Sequence, residues 1–192
     1  PPFPKGAIAL DALTEQEPRL FILPIETAMG KWVVAGIFNL TEKPIGVSFN
    51  LHEAGLDESI PHHVWNFWDQ EYEGITEQQV DITGLKQHTC KLLAIRPESE
   101  VPTILSTSMH FTQGAVELTN YEWNDVRKEL SVTITKTTRK PEAIFFVVSS
   151  DWIPETAFLD GEQLKLEMVA PEVIAVRYLY KQGQILKLKF SK

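Results

Sequence analysis

Asp69 and Glu71 are the residues best spaced for carboxylate chemistry, two apart and directly after Val64-Trp65-Asn66-Phe67-Trp68. On an extended chain, residues i and i+2 share a face, and a retaining glycosidase holds its two carboxyl groups about 5–5.5 Å apart. With 26 acidic residues in the chain, that spacing does not single the pair out. Polar side chains closing an aromatic strand are the simpler reading. His62-His63 offers metal-type ligands, but neighbouring strand residues point to opposite faces, and His52, His88 and His110 fall at no ligand spacing. No serine sits in a Gly-x-Ser-x-Gly elbow, and neither a phosphate-cradling loop nor a dinucleotide fingerprint occurs. Cys90 has only His88 and Lys91 as basic neighbours and lies in an apolar run, so it is expected as a small buried hydrophobe rather than a nucleophile. The sequence therefore nominates no catalytic residue, no metal and no cofactor.

The tryptophans offer binding instead. A sugar ring stacks its C–H face on an exposed indole. Trp152, between the strand-like Ala143–Val148 and Pro154, is expected to be exposed and is the first candidate for a carbohydrate platform; Trp123, at the end of a hairpin strand, is the second. Trp32, Trp65 and Trp68 lie in apolar strands and are expected in the core.

The elements that must carry these residues are strands. Lys31–Asn39 is apolar almost throughout, as a strand buried on both faces would be, and Gly36 permits close packing against it. Ile45, Val47, Phe49 and Leu51 alternate with Gly46, Ser48 and Asn50, giving one dry and one wet face. Val116/Leu118 and Leu130/Val132/Ile134 alternate on either side of a polar loop, which makes a hairpin. Asp160-Gly161 is the strongest turn dipeptide. Arg19–Leu23 reads as a short strand stopped by Pro24, and Ala7–Leu13 as one or two helical turns. Nothing after Leu23 keeps a 3.6-residue period over three turns. The expected class is all-β, an antiparallel β-sandwich architecture of roughly a dozen strands. Two stacked sandwiches or one long one satisfy the pattern. The Pro-Glu-Ser-Glu-Val-Pro run at 97–102 favours two units, 24–99 and 100–192, after a lead-in over 1–23.

The bulk composition narrows the partners. A net charge of −8 argues against nucleic acid or an anionic membrane surface, and no apolar run reaches the length of a membrane-spanning helix. A hydrophobic fraction of 43% with five Trp and ten Phe is ample for a packed core. One sequon, Asn39-Leu40-Thr41, is present, a triplet that arises often by chance.

Several segments together resemble a known family. Asp11-Ala12-Leu13 through Glu17–Glu26 is similar to the segment leaving the catalytic barrel in melibiase-type α-galactosidases and their raffinose-synthase-like relatives. Gly30–Asn39 resembles the first strand of their C-terminal β-domain. Val64–Trp68, His88 before Leu92–Pro97, and Leu105-Ser106-Thr107-Ser108-Met109-His110-Phe111-Thr112-Gln113-Gly114 continue the likeness. The resemblance implies a (β/α)₈ barrel preceding Pro1, with both catalytic aspartates on barrel strands and no counterpart here. It implies a parent that hydrolyses or transfers terminal α-linked galactose. The present chain is then a non-catalytic C-terminal β-sandwich region that supports the barrel. Its expected partners are that barrel, a carbohydrate and a neighbouring subunit. Phe3, Phe21 and Ile22 are the expected docking residues. The alternative is a stand-alone carbohydrate-binding or adhesion module.

Overall fold

The computed structural model describes residues 6–14 and 17–192, so Phe3 lies outside the described part. The chain is all-β, with 57% of it in strands. It divides into two compact units, one holding the described residues up to Glu26 together with Lys31–Glu98, the other Thr27–Gly30 with Ser99–Lys192.

The first unit contains β1 (Ile8–Ala9), β2 (Leu20–Thr27), β3 (Gly30–Asn39), β4 (Ile45–Asn50), β5 (His62–Asn66), β6 (Glu71–Thr76), β7 (Gln79–Leu85) and β8 (Thr89–Pro97). Six of these form a sheet in the order β1-β2-β3-β8-β5-β6, and β4 pairs with β7 as a separate ribbon. At the centre, β3 and β8 run antiparallel from Val33↔Ile95 to Asn39↔Thr89. Every second residue of this pair faces inward. Val33, Ala35, Ile37, Leu93 and Ile95 meet Phe49, Val80, Ile82 and Leu85 of the ribbon in one core. The alternation of β4 fits this, with Ser48 and Asn50 turned to solvent and Phe49 buried. Gly36 faces the other way, where a Cβ would stand 3.2 Å from the Phe38 ring. Its bare backbone is what lets that ring fold over the sheet.

Two local expectations are corrected here. Ala7–Leu13 makes no helix: Ile8 and Ala9 pair with Ile22 and Phe21 as the edge of the sheet, only a turn follows, closed by Thr14 N on Asp11 O, and the Asp11 carboxylate accepts from the Arg19 and Leu20 amides at 2.8 and 3.2 Å. Nor does Pro24 stop its strand, since β2 runs through it to Thr27. Leu10 N donates to Leu20 O, so alternate residues from Leu20 through Ile22 to Pro24 turn their backbone toward β1. That strand ends before reaching Pro24, whose missing N–H therefore costs the sheet nothing.

The second unit contains β9 (Thr103–Thr107), β10 (Leu118–Asn124), β11 (Glu129–Ile134), β12 (Glu142–Val147), β13 (Ile153–Leu159), β14 (Glu162–Leu164), β15 (Leu166–Ala170), β16 (Val173–Tyr178) and β17 (Ile185–Ser191). A five-stranded sheet, β10-β11-β17-β13-β14, and a four-stranded sheet, β15-β16-β12-β9, enclose a common core. Leu130, Val132, Leu186 and Leu188 come from the first sheet and Ile144, Phe146, Ile174 and Val176 from the second. This is a sandwich with interdigitating inner faces. Asp160 and Gly161 join β13 to β14 with φ of 49° and 92°, the two-residue turn whose twist suits a hairpin.

Asn39 closes β3. It is fully buried, its amide donating to Lys43 O and Leu85 O at 2.8 Å each, while its carbonyl accepts from the Thr41 amide and hydroxyl. Glycosylation would replace one of these amide hydrogens, and both are already donated inside the fold. Asn39→Ala is expected to cost about 1–3 kcal/mol of folding stability through the carbonyls it strands, read from denaturant midpoints. Expression in a secretory host is expected to leave the wild-type Asn39 unmodified by mass.

Candidate functional site

The face of the six-stranded sheet opposite the ribbon holds the densest set of aromatic and titratable side chains in the first unit. Because Val33, Ile95 and Val64 face the core, the alternate residues Trp32, Arg96, His63 and Trp65 share the outer face. Arg96 and His63 are directly paired, and the Arg96 guanidinium lies 3.6 Å from the centroid of the Trp32 ring. That contact stacks a planar cation on an aromatic face. His63 Nδ1 meets the Tyr72 hydroxyl at 2.7 Å. All four residues are 4% exposed or less. Burial, reinforced by neighbouring His62, pushes the His63 pKa down to about 4. His62 turns to the opposite side, its Nδ1 2.9 Å from Ile60 O, and is also lowered by burial.

Farther along the same face the surface opens. Phe38 is 36% exposed and packs edge-on against half-buried Phe21 at 5.7 Å. Opposite Phe38 in the register is Cys90, which is exposed. This overturns its expected burial: it lies at the start of β8, just after the Lys86–His88 turn and before the strand's buried stretch of Leu93–Arg96 begins. Of the two described residues expected at a docking surface, Phe21 lies on the outer face. Ile22 does not. It is 1% exposed, because alternation along β2 turns it into the core with Leu20.

The proposed sugar platform is corrected as well. Trp152 is 5% exposed. A turn closed by Trp152 N on Ser149 O swings its indole back over the end of the second sandwich. There the ring N–H donates to Glu100 O at 2.8 Å, half-buried Trp123 packs edge-on at 5.1 Å, and Lys192 and Lys128 lie 4.7 and 5.5 Å from the ring. Trp152 is closed off by this packing, and Trp123 lies half-buried against the same core. Trp68, expected in the core, is instead 58% exposed, because β5 ends at Asn66 and the indole lies in the following turn.

Asp69 accepts from Asn66 Nδ2 at 2.8 Å, and Glu71 is exposed at the start of β6. A cleft of about 200 Å³ is lined by Val64, Glu73, Thr76, Gln79, Asp81 and Ile82 among others. Glu73 pairs with Lys91. Hydrogen bonds from Ser48 and Gln79 hold Asp81 below the usual carboxylate range, the wrong direction for a general acid. Among the described residues no three His, Cys, Asp or Glu side chains converge as metal ligands would.

In the second unit, Glu117 is fully buried in the loop before β10. It accepts from Gly114 N at 2.8 Å, Val116 N at 3.1 Å and the Thr107 hydroxyl. The resemblance segment 105–114 is thereby pinned around a carboxylate that an alternating strand pattern would have placed in water. The one sequence signal was the crowding of hydroxyl and amide side chains just upstream. The chain matches no protein-family model and no curated protein.

The histidine geometry sets a pH dependence. His63 takes up a proton near 6.5 when unfolded and only near 4 when folded. Its contribution is complete above 6.5 and is lost as pH falls from 6.5 to 4, a change on the order of 3 kcal/mol. Urea midpoints measured across that range are expected to fall in the wild type and to fall less in His63→Gln.

Proposed function

We propose that this chain is the non-catalytic C-terminal β-sandwich region of an α-galactosidase-like glycoside hydrolase, supporting a catalytic barrel on the same polypeptide. The observation that carries the reading is the outer face of the six-stranded sheet. Phe38 is exposed there with half-buried Phe21 against it, on the strands formed by the two segments that resemble the barrel exit and the first β-domain strand. A two-ring apolar contact at the end of an otherwise buried face suits a protein surface better than water. Asp69 and Glu73 beside Asn66 each have a structural partner, Asn66 for both and Lys91 for Glu73, which suits a supporting role for this end of the sheet. Of the two residues a stand-alone sugar module would use, Trp152 is buried and Trp123 is half-buried.

Phe21→Ser/Phe38→Ser in the polypeptide that includes the upstream barrel tests the reading. Loss of about 60 Å² of apolar contact at roughly 25 cal/mol per Å² amounts to about 1.5 kcal/mol. The half-life of aryl α-galactoside hydrolysis on heating is expected to shorten about tenfold, with the isolated 192-residue chain inactive. An unchanged half-life, or hydrolysis by the isolated chain, contradicts the proposal.

A further inference from the structure

We infer that the turn between β5 and β6 is a binding subsite for a neutral pyranose, with Trp68 as its stacking platform. Trp68 is 58% exposed, whereas Trp32, Trp65 and Trp152 are 5% exposed or less. The turn that carries it is rigidly built. Phe67 N donates to Leu92 O at 2.8 Å, and the Phe67 ring braces the indole edge-on at 4.9 Å. Beneath them Asn66, fully buried, donates to Asp69 at 2.8 Å and to Glu73 at 3.1 Å, tying the turn to β6. An indole held this way has already lost the freedom that binding would otherwise remove.

The flanking groups define the ligand. Asp69 and Glu71 follow Trp68 in the chain and are both exposed; Glu71, and the Asp69 oxygen that does not accept from Asn66, offer carboxylate acceptors to sugar hydroxyls while the ring takes the C–H face. The same carboxylates repel uronates, sulfated sugars and phosphosugars. The site therefore takes an uncharged sugar. Sugar binding at Trp68 is a property of the chain by itself and does not depend on the docking of a barrel.

The test is a tryptophan-emission titration of the 192-residue chain with methyl α-galactoside and methyl α-glucoside, with galacturonate and tetramethylammonium as charged comparisons. Saturation by at least one neutral glycoside in the millimolar range is expected, with affinity lost about tenfold or more in Trp68→Ala and kept in Phe111→Ala. Galacturonate is expected to bind more weakly than the neutral sugars. Trp68→Ala removes an exposed side chain from a turn, so its thermal midpoint checks that the fold persists. Flat titrations with both glycosides overturn the inference, as does saturation unchanged by Trp68→Ala. Saturation by tetramethylammonium alone would likewise overturn it, marking an acid-flanked cation site instead.

Discussion

The antiparallel register of β3 against β8 is the constraint on which the first unit depends. Pairing Val33 with Ile95 and Asn39 with Thr89 sends Val33, Ala35, Ile37, Leu93 and Ile95 to the ribbon side. It leaves Trp32, Val34, Phe38, Ala94 and Arg96 on the other. Because strand side chains have a period of two, a slip of one residue would exchange the two sets completely. Arg96 and Trp32 would then lie against the apolar ribbon, and the Ile/Val/Leu set would face outward. Asn39 fixes the end of the register by binding two carbonyls across the turn, and Gly36 gives Phe38 the space to cover the backbone. Core, outer face and edge all follow from that single alignment.

The outer face changes character along its length. At one end a neutral buried histidine, an arginine stacked on tryptophan and a second tryptophan are closed off from water. At the other, Phe38, Phe21 and Cys90 meet solvent to differing degrees. A buried guanidinium is tolerable only with its charge delocalised and supported, and the ring beneath Arg96 supplies part of that support. Such a face suits a role in which geometry and contact area matter more than proton transfer.

The all-β class was legible because alternation is a local signal. Ile45/Val47/Phe49, Leu130/Val132/Ile134 and Leu186/Leu188/Phe190 each announce one dry face, and the structure buries Phe49, the Leu130 set and the Leu186 set accordingly. What failed was the reading of strand ends. Trp68, Trp152 and Cys90 each lie at or just beyond the boundary of a buried strand, where direction is set by a turn rather than by parity. Asn66 and Leu92 O shape the turn at Trp68, Ser149 O and Glu100 O the one at Trp152. These are tertiary or turn hydrogen bonds with no periodic trace. Pro24 was misjudged for a related reason, since its tolerance depends on how far a two-residue neighbour extends. Glu117 was invisible because a buried carboxylate is betrayed only by the donors that surround it.

The mass of the native protein tests most directly the proposal that a catalytic barrel shares this polypeptide. Blotting source-cell lysate with an antibody against this chain is predicted to show a band several times heavier than 21.8 kDa, leaving room for a catalytic barrel. A native band at 21.8 kDa would contradict the account and leave a free-standing β-protein.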